Sequence, residues 1–165
     1  MSEPGEFPRG LRLAIVWLLI GTAVFLGVQA MQSQAQRSRF SFDAVAGTIE
    51  LRRAPDGHFH WPGTLNGVEV EFLVDTGATN TAIPRALAQR LGLRTDGNVQ
   101  SSTAGGVVNG ALARADLALQ GGPLVERLRV TVLPQLDAPL LGMDVLSKMR
   151  FTQSDGVLRF QGPKP

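Results

Sequence analysis

One short string of residues could carry acid–base chemistry: Asp75-Thr76-Gly77-Ala78. The carboxylate of Asp75 follows an apolar, strand-like run and precedes a glycine turn. Apolar surroundings raise the cost of ionising a carboxylate, whereas N–H groups of a turn lower that cost. Thr76 offers a hydroxyl that could fix the loop, and Gly77 allows a close backbone approach or a positive φ. Because Asp and Gly are also common in ordinary turns, this string alone does not distinguish a catalytic loop from a structural one.

Other candidates for nucleophilic or metal chemistry have less support. The chain has no Cys, which excludes thiolate metal sites and a cysteine nucleophile. His58 and His60 could point the same way on a strand, but a metal site needs further ligands and there is no third His. Ser101, Ser102 and Ser147 lie in no nucleophile-elbow string. We therefore expect neither a metal nor another cofactor.

The strand that carries Asp75 is the best-defined element of the sequence. Within Val68–Val74, four apolar residues share one face, while Glu69 and Glu71 share the other. Asn66-Gly67, just before it, is a strong hairpin signal. The pattern predicts a half-buried strand that ends at Asp75.

The rest of residues 40–165 is predicted to be mostly β. A helix is expected from Pro84, in its first turn, to a cap at Gly92, and a short helix is expected over 144–149. Residues 99–119 contain two strand-like runs with turns at Gly105-Gly106 and Asn109-Gly110. Parallel crossover units are not expected, so a compact, barrel-like β domain is favoured. Further strands are predicted at Thr48–Arg52, 58–61, 128–133 and 157–160, the last of them after a turn at Asp155-Gly156.

The N-terminal part predicts a membrane segment. No charged residue lies between Arg12 and Arg37. As a helix, residues 13–31 would extend about 28 Å, close to the roughly 30 Å of a hydrocarbon core. Val28-Gln29-Ala30 also fits a signal-peptide cleavage site, but the apolar run exceeds the usual signal core, which favours an uncleaved anchor.

This reading divides the chain into four segments. They are a leader (1–12), a transmembrane anchor or signal peptide (13–31), a stalk (32–47) and a domain (48–162). With 44% hydrophobic and 18% charged residues, the composition excludes a disordered chain. The net charge of +2, without a block of Lys or Arg, does not indicate nucleic-acid binding.

The string around Asp75 resembles the active-site signature of retropepsin-like aspartic proteases. It reads Phe-Leu-Val-Asp-Thr-Gly-Ala-Thr over residues 72–79. Residues 102–106 resemble the flap that closes over substrate, and Leu140-Leu141-Gly142-Met143-Asp144 resembles the strand and helix that support the catalytic loop. The arrangement is similar to a membrane-anchored bacterial branch of these proteases.

The resemblance implies a single-lobe acid-protease β-barrel with one or two short helices, preceded by a transmembrane helix. It assigns catalysis to Asp75, Thr76 and Gly77. Substrate binding is assigned to Ala78, Thr103, Ala104, Gly105 and Gly106.

The resemblance also implies a homodimer, because the chain has one Asp-Thr-Gly string and the reaction uses two aspartates. One Asp75 from each subunit would lie at the two-fold axis, with Thr76 bonding across it. The two carboxyl groups would share a proton, since adjacent like charges do not both ionise easily. The ionised group would activate water to hydrolyse a peptide bond while the protonated group polarises the carbonyl.

Two positions depart from the retroviral pattern. Asn80 stands where many retroviral members have an acidic residue, and Met143 stands where they commonly have Arg. Two hypotheses therefore stay open: a homodimeric aspartic endopeptidase, and a non-catalytic module of the same fold that dimerises or binds peptide at the membrane surface. In either case we expect a single-pass protein of the bacterial inner membrane, with its folded domain in the periplasm.

Overall fold

The computed structural model describes residues 9–37, 40–43, 47–103 and 106–161. The chain divides into two compact units, Met1–Ser38 and Arg39–Pro165. The first unit contains helix α1 (Arg9–Arg37), in which large apolar side chains such as Trp17 and Phe25 are exposed. Among the residues described, no helix meets both the length and the hydropathy needed to cross a membrane. The membrane span over 13–31 therefore stays a prediction.

The second unit is mainly β, which confirms the predicted fold class. Its described part holds eleven strands and two short helices. In chain order these are β1 (Phe40–Asp43), β2 (Thr48–Arg52), β3 (His60–Leu65), β4 (Val68–Val74), β5 (Ala82–Pro84), α2 (Arg85–Arg90), β6 (Thr95–Thr103), β7 (Gly106–Leu119), β8 (Leu124–Leu133), β9 (Leu140–Leu141), α3 (Met143–Leu146), β10 (Arg150–Ser154) and β11 (Val157–Gln161).

Two sheets organise this unit. The smaller has the order β1-β2-β11-β10, and the larger has the order β3-β4-β9-β5-β8-β7-β6. An additional pairing of β3 with β7 connects two distant members of the larger sheet and closes it. At this seam a Cβ on Gly63 would lie 2.5 Å from the carbonyl oxygen of Ala118, so only glycine fits there.

Two parallel pairings contradict the expectation that parallel crossovers are absent. Strand β4 pairs in parallel with β9, and β5 pairs in parallel with β8. No local pattern predicts these pairings, because β9 has two residues and β5 has three. Strands that short show no periodicity from which a pairing could be predicted.

The predicted turns agree with the structure at two positions and disagree at a third. Asn66-Gly67 and Asp155-Gly156 adopt positive φ at both residues, as two-residue hairpin turns require. Asn109-Gly110, by contrast, lies inside β7, which runs without a turn from Gly106 to Leu119. Backbone pairing with β6, which continues through Asn109 and Gly110, outweighs the local turn preference there.

The predicted boundaries of several elements also shift. Pro84 is the last residue of β5 and the N-cap of α2, so the helix starts one residue later than predicted. Gly92, with a φ of +62°, follows the end of α2 as a C-terminal glycine should. Helix α3 covers Met143–Leu146 instead of 144–149. The strand predicted at 58–61 corresponds to β3, which covers His60–Leu65.

Strand β7 extends from the core to the outer end of a hairpin. Its residues 106–113 pair with β6, its residues 111–118 pair with β8, and Leu117–Leu119 also pair with β3. The first residues of β7 therefore have β6 as their only strand partner, whereas its last residues lie between β3 and β8.

The core lies between the two sheets and is packed with large side chains. Trp61, Phe72 and Phe160 are fully buried, and the Trp61 and Phe160 ring centroids are 4.4 Å apart. The indole N–H of Trp61 donates a hydrogen bond of 3.0 Å to the Gln120 carbonyl, so its polar atom is satisfied. These contacts hold β3 and β4, and β4 leads directly to Asp75.

Candidate active site

The position of Asp75 is fixed by backbone hydrogen bonds at the end of β4. The N–H of Val74 donates to the Phe59 carbonyl at 2.9 Å, and the N–H of Asp75 donates to the Leu141 carbonyl at 3.0 Å. One partner precedes β3 and the other belongs to β9. The backbone that carries the carboxylate is therefore held by the residue before β3 on one side and by β9 on the other.

The turn after Asp75 supplies a donor to its carboxylate. The Gly77 N–H donates to Asp75 Oδ1 at 2.8 Å, and the Ala78 N–H donates to the Asp75 carbonyl at 3.3 Å. A Cβ on Gly77 would lie 3.2 Å from Asp75 Oδ1, which is a tight contact. Gly77 does not adopt a positive φ, so its role here is to allow the close approach of backbone and carboxylate.

A buried polar cluster holds the loop between Asp75 and β5. The Asp144 carboxylate accepts one hydrogen bond from the Thr81 N–H at 3.0 Å and another from the Thr81 hydroxyl at 2.8 Å. The Gly142 N–H in turn donates to Thr81 Oγ1 at 3.2 Å. Thr81 is fully buried, so this cluster ties the loop to the start of α3.

Gly142 brings α3 against the same loop. A Cβ at this position would lie 2.5 Å from the Asn80 carbonyl carbon and 2.8 Å from the Thr81 nitrogen. Its φ of −92° is open to any residue, so space and not conformation requires glycine. The Met143 N–H also donates to the Ala78 carbonyl at 2.8 Å. At Met143, where retroviral members commonly have Arg, a backbone hydrogen bond therefore holds the loop.

A cleft of about 850 Å³ opens beside Asp75. One wall is the loop that contains Gly77, Ala78 and Asn80. The β6–β7 hairpin forms the opposite wall through 100–102 and Val108, and β8, β9 and the segment between them close the remainder. Asp75 is half-buried, so its carboxylate lies in the cleft and also reaches solvent.

The predicted site residues divide into three groups. Asp75, Gly77 and Ala78 line the cleft together. Thr76 is exposed outside the cleft lining, and Gly106 is exposed at the start of β7. The Thr103 backbone pairs with Gly106 across the hairpin, and Ala104 and Gly105 lie outside the described residues. The structure thus brings the Asp-Thr-Gly loop and the predicted flap hairpin to one cavity.

Several cleft residues were not anticipated from the sequence. Gln100 and Ser101 belong to the hairpin before the predicted flap, and Gln135 and Leu136 follow β8. Asp144, which fastens the loop through Thr81, was identified from the sequence only as part of the string that resembles the strand and helix supporting the catalytic loop. Its spacing from Thr81 is 63 residues, so no local signal could have joined the two.

Electrostatic contacts near β3 involve both histidines. Asp56 accepts a hydrogen bond from the His58 N–H at 2.9 Å, and its Oδ2 lies 2.7 Å from His60 Nε2. The His58 N–H is the main reason that the pKa of Asp56 is lowered, and His60 adds to the effect. Within the described part of the chain, no group of three or more His, Asp or Glu residues is arranged to hold a metal ion.

Comparison with known proteins places this geometry in a family. Residues 61–148, more than half of the chain, match the family model described as "gag-polyprotein putative aspartyl protease". The crystal structure of a retropepsin-like aspartic protease from Rickettsia conorii is 28% identical, with a TM-score of 0.56 over 68% of this chain and 89% of that one.

Two uncharacterised bacterial proteins are similar in sequence. One, in the cobV 5' region of Sinorhizobium, is 29% identical over 90% of this chain and 71% of its own length. The other, RP867 of Rickettsia prowazekii, is 30% identical over 67% of this chain and 49% of its own length, so the chain spans about half of that relative. The matched region contains Asp75, its supporting strands and the cleft, and by this evidence the chain belongs to the retropepsin-like aspartic protease family.

Proposed function

We propose that this chain is an aspartic endopeptidase that acts as a homodimer through two Asp75 carboxylates. The observation that carries the proposal is the position of Asp75. Its carboxylate is fixed at the end of β4 in a cleft of about 850 Å³ that is walled by a hairpin. An extended peptide could lie between the loop and the hairpin with its backbone close to this carboxylate.

The chemistry requires a second carboxyl group beside the first. In the proposed dimer each subunit contributes one Asp75, and the pair holds one proton. The ionised carboxylate takes a proton from the water that attacks the peptide carbonyl, while the protonated one stabilises the developing oxyanion. As the C–N bond then breaks, the leaving amine takes up a proton from the pair. The Gly77 N–H, at 2.8 Å from Asp75 Oδ1, orients the carboxylate.

Replacement of Asp75 by Asn in the full chain tests this proposal. We expect Asp75→Asn to lower kcat/KM for peptide cleavage by about a thousandfold or more, because the amide cannot accept the proton from water. Thermal unfolding and sedimentation of the variant should match those of the unaltered chain. The matched control is Gln153→Glu on the exposed strand β10, which should cleave normally. Equal cleavage by the Asp75→Asn chain would contradict the proposal.

We further propose that α1 anchors the protease in the bacterial inner membrane, with the second unit in the periplasm. The uncharged run between Arg12 and Arg37 and the exposed side chains of Leu18 and Phe25 support this. The full chain should stay in the membrane pellet after alkaline carbonate extraction.

A charged variant makes the test of the anchor specific. Leu18→Lys combined with Phe25→Lys should release the protein, since charge at the centre of a span is costly. Gln153→Lys, which also adds a cation, should leave it in the pellet. Extraction of the unaltered chain would contradict the anchor, and a mature N-terminus near Met31 would show a cleaved signal peptide instead.

A further inference from the structure

An uncharged stretch of the chain forms a turn at the surface of the second unit. No charged residue lies between Asp116 and Glu126, and the turn that joins β7 to β8 lies within this stretch. The turn reads Gln-Gly-Gly-Pro over residues 120–123 and is followed by Leu124, whose side chain is 67% exposed. Turns that face water usually contain polar or charged side chains, so an apolar turn with an exposed leucine is unusual.

The ring of Phe42 extends this apolar surface from a second element. The Phe42 side chain is 47% exposed, and it lies against the turn, because a Cβ on Gly121 would be 2.8 Å from Phe42 Cδ2. We call Phe42 together with residues 120–124 the apolar end of the second unit. Exposed apolar side chains that gather at one place on a surface are typical of a contact with a partner or a membrane.

The turn of the apolar end is fixed to the core. The Gln120 N–H donates to the Pro62 carbonyl at 2.9 Å, and the Gln120 carbonyl accepts from the Trp61 indole N–H at 3.0 Å. A Cβ on Gly122 would lie 2.8 Å from Trp61 Cζ2, so glycine lets the turn pack on the buried indole. A surface held in this way needs no ordering when it binds.

The covalent chain connects the apolar end to α1. The helix ends at Arg37, and β1, which contains Phe42, begins at Phe40. Three residues of extended chain cover at most about 11 Å. In the proposed anchor the apolar run ends near Met31, and six further helical residues add about 9 Å. Strand β1 would then begin no more than about 20 Å from the hydrocarbon core.

We propose that the apolar end enters the headgroup region of the membrane in which α1 is anchored. The inference rests on the anchor proposed above and adds a second, independent contact with lipid. Phe42 and Leu124 lie at the boundary between headgroups and acyl chains, as exposed aromatic and aliphatic side chains of interfacial proteins do. Because the turn has no charged side chain, its entry requires no charge to lose its hydration.

This contact has a consequence for the substrates that the proposed protease reaches. Strand β7 has fourteen residues and runs from Gly106, in the hairpin beside the cleft, to Leu119, next to the apolar end. At about 3.3 Å per residue the two ends of β7 are up to about 40 Å apart. With Leu119 near the headgroups, the outer end of the hairpin is held away from the bilayer. We therefore expect peptide segments far from the membrane surface to be the substrates.

Fluorescence quenching by brominated lipids tests the lipid contact on the full chain. Because the chain has no Cys, one Cys can be introduced and labelled with bimane at each chosen position. Gln120→Cys reports the apolar end, Val107→Cys the opposite end of β7, and Ala23→Cys the anchor. In vesicles of phosphatidylethanolamine and phosphatidylglycerol with brominated acyl chains, the labels at 120 and 23 should lose fluorescence. The label at 107 should keep it.

Removal of the two exposed side chains makes the test specific. Phe42→Ser combined with Leu124→Ser should abolish quenching of the label at 120 and leave quenching at 23 unchanged. Val107→Ser, which removes an equally exposed aliphatic side chain, should change neither. If thermal melting shows that the double variant does not fold, Leu124→Ser alone should reduce the quenching at 120.

The two labels separate failure of the inference from failure of the anchor. Quenching at 23 without quenching at 120 would overturn the inference and leave the anchor standing. Quenching at neither position would show that the anchor fails, and the inference with it. A label at 120 that brominated lipid does not quench, but that becomes shielded as the density of the protein rises, would assign the apolar end to a second copy of this chain and overturn the lipid contact.

Discussion

The buried hydroxyl of Thr81 connects the loop that follows Asp75 to the start of α3. The hydroxyl donates to Asp144 and accepts from the Gly142 N–H, and the side chain is fully buried. Without it, the buried Gly142 N–H would lose its acceptor and the half-buried Asp144 carboxylate would lose one of its donors. A buried polar group without a partner costs about 1–3 kcal/mol.

Replacement of Thr81 by Val should therefore be costly although the side-chain shape is nearly kept. We expect Thr81→Val to lower the free energy of unfolding by about 1–3 kcal/mol and to reduce kcat more than it raises KM, since the loop that carries Asp75 loses its fastening. Thr81→Ser keeps the hydroxyl and should retain most of both quantities. Denaturant unfolding and steady-state kinetics measure them, and equal behaviour of the two variants would show that the hydroxyl has no such role.

At the scale of elements, the Asp56 carboxyl in the segment before β3 makes the stability of the fold depend on pH. Asp56 accepts from the His58 N–H and contacts His60, and these contacts lower the pKa of the Asp56 carboxyl. A carboxyl whose pKa is lower in the folded state stabilises the fold above its unfolded-state pKa. That contribution is lost as the pH falls through the folded-state pKa, which is lower than the ordinary value for an Asp carboxyl.

The pH dependence of melting tests this link. At neutral pH the Asp56→Asn chain should have a lower Tm than the unaltered chain, and the difference should shrink as the pH is lowered below about 4. Asp137→Asn removes one exposed carboxylate elsewhere and controls for the change in net charge. A Tm difference that stays constant down to pH 2 would contradict the role of Asp56.

The sequence predicted elements whose signal is local, and it missed those that depend on distant partners. Val68–Val74 alternates apolar and acidic residues, and the structure has β4 at these bounds. Asn66-Gly67 carries its turn preference in two residues. In contrast, β9 exists because Leu140 and Leu141 pair with Leu73 and Val74, nearly seventy residues earlier. Asn109-Gly110 failed as a turn for the same reason, since pairing with Gln100 and Val99 of β6 keeps it extended.

The candidate site was also predicted where its signal is local and missed where it depends on distant segments. The position of Asp75 beside a hairpin could be expected from the resemblance, and the structure brings the two to one cleft. The neutral lining from Gln100 and Gln135, and the contact of Thr81 with Asp144, come from segments far apart in the chain. Composition and short motifs contain no information about contacts between segments that are far apart in the chain.

At the scale of the whole molecule, the proposed active site is complete only when two chains meet. Adding the Asp75→Asn chain to a fixed amount of unaltered chain should therefore reduce activity, because mixed dimers contain one functional carboxyl group. With random exchange of subunits, an equal amount of variant should lower the activity to about half.

The control for this mixing experiment is an equal amount of Gln153→Glu chain, which should raise activity instead of lowering it. Native mass spectrometry confirms that subunits have exchanged. If the activity stayed constant as the Asp75→Asn chain was added and mixed dimers had formed, one carboxyl group would suffice and the proposed mechanism would be wrong.

Strand β7 joins two regions whose backbone mobility should differ. Its outer residues, before Ala111, have β6 as their only strand partner, while its inner residues lie between β3 and β8. We therefore expect the outer part to move more readily than the inner part, because its movement breaks no pairing in the core. The change between the two parts falls at Gly110, where a Cβ would lie 2.8 Å from the Val132 carbonyl oxygen. Backbone amides along one continuous strand should then exchange with deuterium quickly near Gly106 and slowly near Leu117, as substrate entry and a stable core together require.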